Sequence, residues 1–173
     1  KKISILFCAI CLMTSIGAKV KLPALVSDGM VLQRNQTVKI WGKANAKEKI
    51  NVEFLNKRYA TIADENGDWK INLKLSNAGG PYRMSINEIS LNEIYIGDVW
   101  LASGQSNMEL PMRRLKPLYE NEIKTANNPN IRFFTVPQKY DFKTQREDLE
   151  SGKWEATNSQ TILNFSGVAY FFA

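Results

Sequence analysis

Ser106 is the residue whose neighbours best equip it as a nucleophile. It stands in Gly104-Gln105-Ser106-Asn107, directly after the apolar run Ile94 to Ala102. A serine hydroxyl attacks poorly until a base takes its proton, and histidine is the usual base. The sequence contains no histidine. A short Gly-x-Ser turn is common, so the bland reading is a structural serine in a module without catalysis. The chemical reading is a serine hydrolase whose base lies beyond Ala173. Gly104 would allow a sharp turn, Asn107 would brace it, and Asp98 lies too early to be a catalytic acid and would hold a neighbouring loop. Arg113, Arg114 and Lys116 follow closely and suit either an anionic group or plain surface.

The elements that must position Ser106 begin with Ile94 to Ala102, whose composition is that of a buried parallel strand ending in small polar residues. Ligand chemistry in open α/β sheets sits at such carboxyl ends. Pro117 suits the first position of a helix, with Tyr119, Ile123 and Ala126 on one face. Asn127-Asn128-Pro129 would stop that helix, and Ile131 to Val136 reads as the next strand. The whole is a right-handed βαβ unit. Residues 137–160 are polar and irregular, with Trp154 pinning them to the body. Ser166 would cap a buried helix that opens at Phe165-Ser166-Gly167.

Upstream, apolar residues alternate in Val38/Ile40, Ile50/Val52/Phe54, Trp69/Ile71/Leu73/Leu75 and Met84/Ile86. Period-two alternation broken by turn residues predicts a small antiparallel β-sandwich over 19–92. Asn66-Gly67 is its strongest hairpin signal, for a type I′ turn. Asp64-x-Asn66-x-Asp68 imitates the start of a calcium loop, but the glycine is misplaced and Leu75 stands where such a loop needs Glu. It is read as a turn.

Residues 1–18 read as an export signal: Lys1-Lys2, the apolar stretch Ile3 to Ile16, then Gly17-Ala18. Both cysteines, Cys8 and Cys11, fall inside it, so their spacing is neither redox nor metal chemistry. The expected location is secreted or periplasmic, with no membrane span after cleavage. An apolar content of 44% and a charged content of 23% fit an ordinary globular chain. Lys1 and Lys2 supply two of the six net positive charges. The rest look scattered, which argues against a nucleic-acid partner.

The string Gly97-Asp98-Val99-Trp100-Leu101-Ala102-Ser103-Gly104-Gln105-Ser106-Asn107-Met108-Glu109 resembles the first signature block of the SGNH-hydrolase carbohydrate esterases, in particular the sialate O-acetylesterase family. The phrase Leu22 to Gln33 and the segment Phe165 to Ala173 are similar to theirs too. The resemblance implies an SGNH α/β domain, a flavodoxin-like three-layer sheet of which 93–173 is the N-terminal part, preceded by the β-sandwich. It implies that Ser106 attacks the acetyl carbonyl of an O-acetylated sugar, forms an acetyl-enzyme and releases it to water. The Ser106 N–H would be one oxyanion donor and, by looser analogy, Gly167 N–H a second. Gly167 reads equally well as a small residue that permits close helix packing. Gly104, Gln105 and Asn107 support the motif. No cofactor and no metal are implied. Acetylated sialic acid and acetylated hemicellulose are not distinguished as substrates. The competing reading is a carbohydrate-binding or structural β-module carrying a degenerate hydrolase remnant.

Overall fold

A computed structural model of the chain describes residues 20–173; the export signal expected at 1–18 and its cysteines lie outside the described residues. The described chain is rich in strands and poor in helices. Its first half holds β1 (Val31–Gln33), β2 (Thr37–Lys43), β3 (Lys49–Phe54), β4 (Lys57–Ile62), β5 (Asp68–Lys74), β6 (Gly79–Ile86) and β7 (Ile89–Gly97). One five-stranded sheet has the order β1-β7-β6-β3-β4, and β2 pairs with β5 in a second. In β3 and β5 every second residue is buried, as half-covered strands require. Ile40, Ile50, Val52, Ile71, Leu73, Met84 and Ile94 from both sheets meet in one core. One ladder departs from the antiparallel expectation: β1 runs parallel to β7, with Leu32 opposite Ile96.

The turns also differ from their sequence signals. Asn66-Gly67 does not form a type I′ hairpin. Only Gly67 has a positive φ, 79°. Asp64 Oδ1 accepts the N–H groups of Asn66 (2.8 Å) and Asp68 (2.9 Å), and the turn carries the chain from β4 in one sheet to β5 in the other. The two-residue turn with both φ positive is Leu55-Asn56, at 51° and 59°, between β3 and β4. Leucine is not a residue that advertises such a turn.

The second half holds α1 (Ser106–Glu109), α2 (Met112–Thr125), β8 (Asn127–Phe134), β9 (Trp154–Asn158), a 3-10 turn (Thr161–Asn164) and α3 (Gly167–Phe172). Helix α2 starts before Pro117, because burial of Met112 against Ile123, Ala126 and Ile162 rewards the extra turn. Pro117 is therefore interior. It lacks the N–H that would bond the Arg113 carbonyl, and Tyr119 leaves helical geometry at φ −128°, ψ 34°. Tyr119 consequently turns outward while Ile123 and Ala126 keep the buried face. Ser166 caps α3 as expected, its Oγ accepting from the Ala169 N–H at 3.3 Å.

No strand forms over 99–102, and β8 pairs antiparallel with β9, so the expected parallel βαβ unit is not present among the described residues. A parallel strand needs cover on both faces. Trp100 and Leu101 remain 69% and 90% exposed.

The two halves are joined through Arg132 of β8. Its side chain is only 4% exposed and pairs with Glu93 at 2.9 Å. The same guanidinium donates to the carbonyls of Gly29 (3.3 Å) and Pro129 (3.2 Å) and lies 4.4 Å from the Tyr95 ring centroid. Trp154, which belongs to β9 rather than to a loop, donates from Nε1 to the Leu25 carbonyl at 3.0 Å and packs on the first core. Residues 135–153 form an irregular excursion whose Asp148 carboxylate accepts the Ala24 N–H at 3.3 Å. Within it, Asp141 accepts from the Thr144 hydroxyl (2.6 Å) and from the Lys143 N–H (3.0 Å). These bonds, the hydroxyl first, hold its carboxyl down to about 2.

Arg132→Ala should lower the unfolding free energy by about 2–4 kcal/mol, since it strips a buried charge-assisted network. Glu93→Ala should cost less than Arg132→Ala, because the Gly29 and Pro129 carbonyls still meet the guanidinium and the lost carboxylate is itself 65% exposed. Urea midpoints of the two variants check the contrast. Asp141 has a lowered folded-state value, so its contribution to loop order is complete above the ordinary carboxylate range and is lost as pH falls through about 2. The Lys143 and Thr144 amide signals should therefore titrate in NMR with a midpoint near 2, not near the ordinary 3.8.

Candidate active site

Strand β7 ends at Gly97, and its exit is fixed to the end of β1. Arg34 Nε donates to Asp98 Oδ1 at 2.9 Å, and the Val99 N–H donates to Gln33 Oε1 at 2.7 Å. The Arg34 N–H reaches the Gly97 carbonyl at 2.8 Å. The guanidinium holds the Asp98 carboxyl below its usual range. Asp98 thus does hold a neighbouring segment, as its position suggested. From Trp100 to Gly104 the backbone makes no hydrogen bond among the described residues. Trp100 rests edge-on against Phe172, ring centroids 5.2 Å apart.

The chain then turns through α1, with Ser106 as the first helical residue after the extended Gln105. Ser106 is exposed, as are Gln105 and Asn107. Gln105 gives no side-chain cap, so the Ser106 and Asn107 N–H groups have no acceptor among the described residues. Orphan N–H groups at a helical start are available to an incoming oxygen. Asn107 braces the turn through its backbone, its carbonyl accepting the Leu110 N–H at 3.4 Å, and not through its amide side chain. Gly104 does not need a left-handed conformation. A side chain there would meet Met108 Cβ at 3.2 Å. Met108 is the residue that seats the turn. It packs toward Phe133, Phe165 and Ala169, and its Sδ lies 3.6 Å from Ser166 Oγ.

Beyond α1 the chain is pinned a second time. The Met112 N–H donates to the Phe165 carbonyl and the Gly167 N–H to the Leu110 carbonyl, each at 2.9 Å. Gly167 thereby has its N–H committed to Leu110. As an oxyanion donor it would have to give up that bond. Its lack of a side chain makes room for Leu115, whose Cδ1 would collide with a Cβ there. Arg113 is tied to Asn164 Oδ1 at 3.0 Å, whereas Arg114 and Lys116 are exposed. The Tyr170 hydroxyl donates to Glu122, and burial together with that carboxylate pushes the phenol up to about 12. It is a hydrogen-bond donor at neutral pH, not a base.

Sequence reasoning missed the two pins. Gln33 and Arg34 close the phrase Leu22 to Gln33 or follow it directly, yet nothing local connects them to Asp98 or Val99, 64 and 66 residues away. Met108 reads as an ordinary apolar residue, and the Leu110–Gly167 pairing depends on backbone alone.

The comparisons with known proteins agree with one another. No family model matches the chain. Sialate O-acetylesterases of Mus musculus and Rattus norvegicus are both 24% identical to it, over 70% and 69% of this chain and 25% of their own length. That of Homo sapiens is 23% identical over 91% of this chain and 32% of the relative. The crystal structure of a carbohydrate acetylesterase from Xanthomonas citri superposes with a TM-score of 0.81 at 37% identity, covering 90% of this chain and 36% of that one. The chain therefore spans about a quarter to a third of the length of these relatives. Over most of its length the chain is thus similar to proteins named sialate O-acetylesterase and, in structure, to a carbohydrate acetylesterase.

Proposed function

We propose that this chain carries the nucleophile of a serine esterase that removes O-acetyl groups from sugars. The observation that carries the reading is the presentation of Ser106: an exposed hydroxyl at the start of a helical turn, next to unspent N–H groups, on a span pinned at both ends. Ser106 Oγ attacks the acetyl carbonyl, the Ser106 N–H steadies the resulting oxyanion, and the sugar hydroxyl leaves. The acetyl-enzyme is then hydrolysed. No histidine occurs in the 173 residues, so the base and its carboxylate partner are assigned to sequence outside them. The corresponding architecture is a small β-sandwich over 19–92 leading into an SGNH-hydrolase α/β layer from 93, exported by way of the segment 1–18. The names of the relatives support acetylated carbohydrate as the substrate class and leave open whether it is sialic acid or a hemicellulose.

The competing reading is a non-catalytic carbohydrate-binding or structural module, favoured by the missing histidine and by the committed Gly167 N–H. Acetate release from an O-acetylated sugar separates the two. The full-length protein should turn over, and Ser106→Ala should lower kcat by on the order of 10⁶. Because Ser106 is exposed and unpacked, the variant should unfold within about 0.5 kcal/mol of its parent. An alanine variant as active as its parent would remove Ser106 from the mechanism; a full-length protein without turnover would favour the module.

A further inference from the structure

The lysines that look scattered in sequence are gathered by strand register. Residues directly opposite in an antiparallel pair share a face. In the β2–β5 pair, Lys39 faces Asn72, Trp41 faces Lys70, Thr37 faces Lys74 and Lys43 faces Asp68. The alternate residues Ile40, Trp69, Ile71 and Leu73 point into the core, so this set lies on the outer surface. Lys21 joins it. It bridges Lys43 through two backbone hydrogen bonds of 2.8 and 2.9 Å. The carboxylates at this face, Asp68 at 2.8 Å and Glu147 at 3.8 Å, both go to Lys43. Among the described residues Lys21, Lys39, Lys70 and Lys74 have no ion-pair partner. Trp41 stands half-buried in their midst, with Lys39 Nζ 5.3 Å from its ring centroid.

Clustered like charges weaken a sheet, and a face that only had to stay soluble would mix signs. We propose that this face binds a carboxylate-bearing polysaccharide, with a sugar ring lying on Trp41 and its carboxylates meeting the ammonium groups of Lys39, Lys70 and Lys74. The choice of a glycan rests on the carbohydrate reading proposed above; the choice of an anionic one rests on the face itself. Trp41 packs on the core beneath it, has Lys39 Nζ over its ring, and leaves the rest of its half-exposed indole as the apolar contact among these cations. Single-stranded nucleic acid is read by successive aromatic platforms, and this face has one. Membrane surfaces are held by inserted apolar side chains as well as charge, and among the outward positions of the β2–β5 pair Trp41 is the one apolar residue. The face lies on the β-rich half, away from Ser106 in sequence, so it would hold polymer and not the scissile ester.

The test is binding of polygalacturonate, measured by titration calorimetry at two salt concentrations, with dextran, oligothymidylate and phosphatidylglycerol vesicles as comparisons. Polygalacturonate should bind and weaken with salt, and dextran should bind far less. The exposed double variant Lys39→Glu/Lys70→Glu should lose about tenfold or more in affinity. Trp41→Ala should weaken binding while keeping its salt dependence. Circular dichroism checks that both remain folded. Ser106→Ala should leave binding unchanged, which separates this surface from the esterase reading. No polygalacturonate binding, or equal binding by the charge-reversed variant, overturns the proposal. Oligothymidylate or vesicles bound as tightly as polygalacturonate overturn the assignment to a glycan.

Discussion

The buried guanidinium of Arg132 is the contact on which the relation between the two halves depends. A cation taken out of water must be met on all sides, or it costs several kcal/mol. Here Glu93, the Gly29 carbonyl, the Pro129 carbonyl and the Tyr95 ring meet it together. Those groups come from three separate stretches, so satisfying one side chain fixes all three. Gly29 is the seat. A side chain there would stand 2.7 Å from Arg132 Nη1 and 3.3 Å from Trp154 Cβ, and its φ of 78° is one that glycine adopts freely. Trp154 and Asp148 land on the same stretch, at Leu25 and Ala24. The phrase from Leu22 to Gln33 is thus the junction of the described residues.

The position of Ser106 follows from that junction by two steps. Strand β1 closes the phrase and runs beside β7, and Gln33 at its end and Arg34 just past it catch Val99 and Asp98 as the chain exits the sheet. Ten residues later the pairing of 110–112 with 165–167 catches the chain again. Between the two, Met108 and Trp100 tie the span to the body. A nucleophile, the role proposed for Ser106, needs to be placed to within a fraction of an ångström. The pins restrict where the turn can go, and the exposed helical start keeps its donors free.

Much of this was legible in the sequence where one local rule decided the outcome. Alternation located the half-buried strands, because each side chain simply faces core or water. Ser166 was recognisable as a cap, and the Ser106 string carried a likeness to acetylesterases that the comparisons share. Legibility failed where a distant partner overruled a local preference. Burial of Met112 drew α2 back past Pro117, at the cost of a kink that turned Tyr119 outward. Leu55 adopts a positive φ because the register of β3 and β4 demands a two-residue turn there, against its own propensity. The apolar run up to Ala102 has strand composition, but composition cannot supply the neighbours a strand needs. Register likewise assembled the lysine face from positions up to 53 residues apart.

The unladdered run from Trp100 to Gly104 has one more consequence. Its amides and carbonyls are unspent, and its side chains include the 90%-exposed Leu101. An extended segment with open backbone groups and apolar side chains is a template for pairing with any other strand that comes by. Nothing in this stretch discourages such pairing: it has no proline, no lysine and no bulge. Such an edge is open to any strand that can reach it, a second copy of the chain included. Cover over the edge, from whatever source, would do two things at once. It would hold the molecule monodisperse, and it would turn a loose approach to Ser106 into a strand.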